Sequence, residues 1–139
     1  VTPKQHRFAK RRRIAFADTL DEDHVGMHEG STIHSFLNRI VEQMNGHLKL
    51  RIQLRGFDAM CRMIEAGVGI GIVPESAALR HQKTMAIALV ALSDDWAVRE
   101  RYVVVRELEA LPGFSRGLVA DVCQTHGTAG PEMATQRRK

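Results

Sequence analysis

Leu48, Leu50, Ile52 and Leu54 alternate with Lys49, Arg51, Gln53 and Arg55, the period of two expected of a strand with one buried face. The next residues change period. Asp58 is placed to cap a helix whose apolar stripe is Ala59, Met60, Met63 and Ile64, and Gly67 is placed to stop it. Val68 to Val73 is a short apolar run broken by glycines, read as a second strand that ends at Pro74. Two strands joined through a helix lie parallel, with a right-handed crossover. The chain is therefore expected to be α/β, built on a parallel sheet.

The flanking segments extend that pattern. Phe16 to Leu20 reads as a helical turn and Val25 to Met27 as a short strand. Ile33, Phe36, Leu37, Ile40, Val41 and Met44 recur at helical spacing, giving an amphipathic helix closed by Gly46. Ser76 to His81 continues as a helical turn, and Thr84 to Leu92 and Val98 to Arg106 read as strands. Pro112 opens a last helix with Phe114, Leu118, Val119 and Val122 on its apolar face. Thr125 to Lys139 has no periodicity, so residues 127–139 are expected to be a disordered tail.

The block Gly56-Phe57-Asp58-Ala59-Met60-Cys61-Arg62-Met63-Ile64-Glu65-Ala66-Gly67, followed by Gly69-Ile70-Gly71-Ile72-Val73-Pro74, resembles the effector-binding domain of LysR-type transcriptional regulators. Upstream, His6-Arg7-Phe8-Ala9, Phe16-Ala17-Asp18 and Gly26-Met27-His28-Glu29-Gly30-Ser31 are similar to the opening of that domain's second lobe. Downstream, Arg101 to Arg106 resembles the strand returning to the first lobe, and Phe114 to Val122 the closing helix. The resemblance implies a periplasmic-binding-protein-like fold of type 2 that senses a small molecule in a cleft between two lobes. It also implies that the chain holds mainly the second lobe, without the helix-turn-helix that reads DNA. On this reading, residues 1–13 are a basic segment at the end of a crossover strand. Residues 14–106 are the effector-binding lobe, and 107–126 are the C-terminal helix segment. In the resembled family, the elements corresponding to Ile33–Met44 and Leu48–Leu54 pair with a second subunit, so a homo-oligomer is expected.

Charge and composition narrow the class. The chain has 139 residues, 44% of them hydrophobic, enough for one domain with a core. No apolar run approaches the roughly 20 residues a membrane helix needs, and residues 1–13 lack a signal peptide's apolar segment. A cytoplasmic location and no membrane partner are therefore expected. The formal charge of +4 lies at the ends. Residues 1–13 hold Lys4, Arg7, Lys10, Arg11, Arg12 and Arg13 with no acid, and Arg137, Arg138 and Lys139 add three more. Removing these nine from 20 bases leaves 11 against all 16 acids between Ile14 and Gln136, a net of −5. Lys10 to Arg13 can touch phosphates, but a solvated turn is the simpler reading, and DNA is expected to be contacted only through the absent reading domain. Cys61 and Cys123 show no CxxC spacing and are expected to be free, buried thiols.

Candidate site residues follow from the strand ends. Glu29, Gly30, Ser31 and Thr32 stand between a strand and the amphipathic helix, where unpaired amides and about half a positive charge can hold an anion. Ser31 as a simple N-cap fits the residues equally well; the position three beyond it is His34, so no reciprocal capping box forms. Gly56 and Phe57 occupy the corresponding point one strand later. Arg62, four positions into that helix, is not apolar, so Phe57 is free to face the cleft, and an ordinary core aromatic fits the residue equally well. Pro74 ends the third strand at the same mouth. In open α/β sheets ligands bind beyond the carboxyl ends of the strands, so the expected effector is a small anionic metabolite.

Enzymatic readings find less support. His24 and His28 sit in an extended segment, about 13 Å apart, too far to share a metal, and Ile72 stands where a dinucleotide fingerprint needs its third glycine. No metal, cofactor or catalytic group is expected. A solute-binding protein of the same fold, without a transcriptional role, is the alternative.

Overall fold

The computed structural model describes residues 1–98 and 103–126. The chain divides into two compact units, Val1–Ala97 and Val98–Lys139. The first holds strands β1 (Thr2–Pro3), β2 (Arg13–Ile14), β3 (Asp23–Met27), β4 (Lys49–Leu54), β5 (Ile87–Ala88) and β6 (Ala91–Leu92), with helices α1 (Thr32–Gln43), α2 (Phe57–Glu65) and α3 (Glu75–Gln82). Single 3-10 turns cover Phe16–Thr19 and Asp95–Ala97. The described part of the second unit carries α4 (Gly113–His126).

β3 pairs with β4 in parallel, as a helical crossover requires. On its other side β3 meets the segment after α2 at one parallel bridge, His24 to Ile70. There Val25 N–H donates to Ile70 C=O (2.7 Å) and Ile70 N–H to Asp23 C=O (2.9 Å). Gly71 in turn bonds Val1, whose chain continues into β1, antiparallel to β5. The strand expected over Val68–Val73 is thus reduced to one bridge. Glycine explains how the segment still docks: a Cβ at Gly69 would lie 2.3 Å from the Asp23 carbonyl oxygen, and one at Gly71 would lie 2.9 Å from that of Val25. The backbone itself fills the space side chains would need.

The strict alternation of Leu48 to Leu54 does not produce one buried face. Across from His24 and Val25, which are adjacent, stand Leu50 and Ile52, so Arg51 is an extra residue in β4. Such a bulge reverses the face presented by everything beyond it. Leu48 accordingly packs under α1 with Phe16, Ile40 and Val41, while Leu54 joins the cluster of Val25, Met60, Cys61 and Ile64 under α2. Ile52 is left 36% exposed on the edge strand. α1 and α2 therefore bury separate clusters on β3. Met60 and Ile64, each at most 1% exposed, contribute about 1.5–3 kcal/mol apiece by burial.

Several local expectations change. The N-cap of α2 is Gly56 rather than Asp58. Asp58 lies in the first turn instead, 3.6 Å from both Arg62 and His81. Gly67 adopts φ +79°, and its N–H donates to Ile64 C=O (2.9 Å), the left-handed stop the sequence implies. Thr84–Leu92 holds two short strands rather than one region. β2, unanticipated in the basic segment, runs parallel to β6. The strand expected over Val98–Arg106 falls partly outside the described residues, and Val103–Arg106 forms no strand. α4 extends through His126, two residues into the stretch expected to lack structure; 127–139 lie outside the described residues. Both cysteines are free, but Cys123 is exposed. Cys61 is buried, and desolvation raises its pKa.

Replacing Gly69 with Ala should destabilise the first unit by about 1–3 kcal/mol, the range for overpacking, because the obstacle is backbone. Gly117→Ala, with open space around its position in α4, should be neutral or stabilising. Urea unfolding of the two variants checks the contrast.

Candidate functional site

The connections place the site. β3 sends the chain into α1, which packs over the cluster of Phe16, Ile40 and Val41. β4 leads into α2 over the other cluster, and the 69–73 segment leads into α3, which packs beside α2. The chain leaving β3 thus departs to one face of the sheet and its two neighbours depart to the other. In open α/β sheets ligands lie at such a divergence, beyond the carboxyl ends of the strands. Glu29, Gly30, Ser31 and Thr32 follow the end of β3, Gly56 and Phe57 follow β4, and Pro74 follows the bridged segment. All seven candidate residues lie along this edge of the sheet.

Their environments differ. Glu29, Gly30 and Thr32 are exposed, whereas Ser31, Gly56, Phe57 and Pro74 are half-buried. Ser31 is the N-cap of α1: its Oγ accepts from His34 N–H at 3.2 Å, and its carbonyl accepts from Ser35 Oγ–H at 3.3 Å. The cap reading of Ser31 is therefore realised, while its hydroxyl proton and the amides of Thr32 and Ile33 retain donor capacity. No acidic residue lies in the first turn of α1. α2 differs, because Asp58 already places a carboxylate in its first turn. Phe57 packs against the core cluster beneath α2, so its ring is anchored there rather than standing free at the cleft.

The sequence presents His28 as half of a spaced histidine pair, and the structure gives it another setting. Its N–H donates to Leu54 C=O (2.9 Å), extending the β3–β4 pairing by one step, and its carbonyl accepts from Ser31 N–H (3.0 Å). The ring passes beside Gly30, and its Nδ1 is buried without a hydrogen-bond partner. A polar group placed between a strand end and a helix start was the available signal. His24 points elsewhere: it is 2% exposed, and its Nε2–H donates to Thr19 C=O at 2.9 Å. Among the described residues, no three His, Cys, Asp or Glu side chains are grouped to hold a metal.

Beneath α1 lies a small hollow bordered by His24, His34, Asn38, Leu37 and Leu50; none of the seven candidate residues lines it. The His34 ring stands between the side-chain amides of Asn38 (2.9 Å) and Gln53 (3.4 Å), tying α1 to β4. Phe16, Trp96 and Phe36 form edge-to-face contacts at 5.2 and 5.6 Å between centroids. Trp96, the single tryptophan, is thereby coupled to the helix that begins at the candidate site.

A family model described as the LysR substrate binding domain matches residues 1–122. Among solved structures, the chain is similar to the effector-binding domain of QuiR in complex with shikimate, with 19% identity and a TM-score of 0.60 over 67% of this chain and 43% of that one. It is also similar to HinK, a LysR family transcriptional regulator from Pseudomonas aeruginosa, with 15% identity and a TM-score of 0.55 over 67% of this chain and 32% of that one. The chain thus spans less than half the length of either structure. No curated protein matches it.

Burial sets the pH response of the first unit. Desolvation holds the His24 imidazole below its ordinary 6.5, outweighing the opposing pull of the Thr19 carbonyl. Above that value His24 is neutral folded and unfolded and adds no pH dependence. Below it the unfolded chain takes up a proton that the folded chain lacks, so stability falls with falling pH. Urea midpoints should decline between pH 7 and 5, and His24→Gln should flatten that decline even where it lowers stability at pH 7.

Proposed function

Because the chain belongs to the LysR substrate-binding-domain family, we propose that it is the effector-sensing part of a LysR-type transcriptional regulator, acting in the cytoplasm and without enzymatic activity. The match across residues 1–122 carries this reading. No helix among the described residues is long and apolar enough to cross a membrane. Sequence-specific DNA binding is assigned to a helix-turn-helix domain outside this chain, which the effector would control.

The effector is assigned to the crevice at the ends of β3, β4 and the bridged segment, with its anionic group at the start of α1. Two features favour α1 over α2 as the anion seat. The first turn of α1 has no carboxylate and keeps donors at Ser31, Thr32 and Ile33, whereas Asp58 already compensates the start of α2. Gly30 leaves room for close approach, and the half-buried Gly56 and Pro74 border the crevice, with Phe57 anchored in the core beside them. Shikimate, the ligand described for the QuiR domain, is a hydroxylated carboxylate, and a compound of that class suits a seat of amides and hydroxyls.

Titration with shikimate and related hydroxy acids should shift the backbone amide signals of residues 29–33 and 56–57 and change Trp96 emission. Thr32→Val should weaken binding by about 1 kcal/mol, the usual worth of one hydrogen bond. Ser31→Ala should additionally cost about 1 kcal/mol of stability through the lost cap. Shifts confined to other segments would remove the assignment.

Self-association is part of the proposal. β4 is an edge strand with Ile52 36% exposed, and Met44, just past α1, is 38% exposed; a second copy can cover both. Sedimentation across micromolar concentrations should show a dimer or larger species, and Ile52→Lys should shift the population to monomer.

A further inference from the structure

The six bases of residues 1–13 lie in a turn that the fold holds in place. Phe8, 4% exposed, packs with Ile14 and Ile70 and pins the turn to the core. Bonds from His6 N–H to Pro3 C=O, Ala9 N–H to His6 C=O and Arg11 N–H to Phe8 C=O, all of 2.9–3.1 Å, close it. β2 then fixes its far end against β6. One base is neutralised: Arg7 Nε donates to Glu22 at 2.7 Å, and its guanidinium lies 4.5 Å over the Phe8 ring. His6 reaches the same carboxylate at 3.4 Å. Lys4, Lys10, Arg11, Arg12 and Arg13 are exposed, and none has a carboxylate partner among the described residues. Five positive charges are thus gathered on one ordered turn, on a chain whose remainder up to Gln136 is net negative.

We infer that this turn is a sequence-independent contact for the phosphate backbone of double-stranded nucleic acid. The type of partner follows from what accompanies the charge. A protein interface carries exposed aromatic or aliphatic anchors at its centre, and the one aromatic residue here, Phe8, is buried as the anchor of the turn itself. Single-stranded nucleic acid is held by aromatic platforms between the bases, which the same burial removes. Arg11 lies 5.9 Å over the buried Phe8 ring, and exposed guanidinium groups without carboxylate partners suit phosphate oxygens on a rigid, regularly charged surface. The turn adds affinity and orientation but no base recognition, so it complements a separate sequence-reading domain without replacing one. The inference does not depend on the effector assignment.

Fluorescence anisotropy with the full chain and a labelled random-sequence duplex, from 50 to 200 mM salt, tests it. Each phosphate contact contributes about −0.9 to the slope of log affinity against log salt. The variant K10Q/R11Q/R12Q should therefore make that slope less negative by about 2.7, while retaining wild-type Trp96 emission as a check of folding. The variant R80Q/K83Q, altered at exposed bases of α3 and its end, and R137Q/R138Q should each leave the slope within about one unit of wild type. Absence of duplex binding at 50 mM salt would overturn the inference. So would an unchanged slope in the triple variant, or a loss traced to Arg137 and Arg138. Competition by polyglutamate equal to that of duplex at the same charge would overturn the nucleic-acid assignment in favour of an acidic protein.

Discussion

The contact between β3 and the glycine-bearing segment after α2 joins the two halves of the first unit. Val25 N–H donates the central bond to Ile70 C=O, at 2.7 Å, and the segment is then bonded through Gly71 to the chain entering β1. Without this docking, the α2 cluster would lose its floor, and Ile70 could not close the small cluster with Phe8 and Ile14. The approach depends on absent side chains at Gly69 and Gly71, so a very local constraint sets the arrangement of strands, helices and the basic turn together.

The same strand determines the electrostatics of the proposed site. Because β3 alone sends its chain to the α1 side, the start of α1 stands apart from the start of α2 along one edge. The acid-free first turn of α1 and the Asp58-bearing first turn of α2 then give the edge two unlike ends. Asp58 is also engaged with Arg62 and His81, both at 3.6 Å. Its charge therefore serves the α2–α3 surface as well as the helix terminus.

What was legible in the sequence was whatever depends on period and punctuation. The spacing of Ile33 to Met44 marks α1, the alternation around Leu50 marks β4, and Gly67 marks the stop of α2, because each reports a local backbone geometry. The parallel crossover and the clustering of Glu29 to Thr32, Gly56, Phe57 and Pro74 at strand ends followed from connectivity. What was not legible depended on pairing. The bulge at Arg51 exists only relative to β3, and the reduction of Val68–Val73 to one bridge depends on how closely its glycines meet a neighbouring backbone. Asp58 was a reasonable cap by residue type, yet Gly56 in extended conformation starts the helix two residues earlier. His28 was visible, but its unpaired Nδ1 is a property of the assembled edge.

The bulge in β4 has a consequence for how an open edge is kept selective. Leu48 and Leu54 serve different faces of the sheet, so an added strand with ordinary alternation can match β4 on one side of Arg51 and is out of phase on the other. Arg51 itself is tethered 3.2 Å from Asp23, which holds the irregularity in place. A long amyloid-like strand gains little by lying along such an edge, whereas a short partner matched to one half loses nothing. The irregularity thereby acts as a length filter on whatever pairs there.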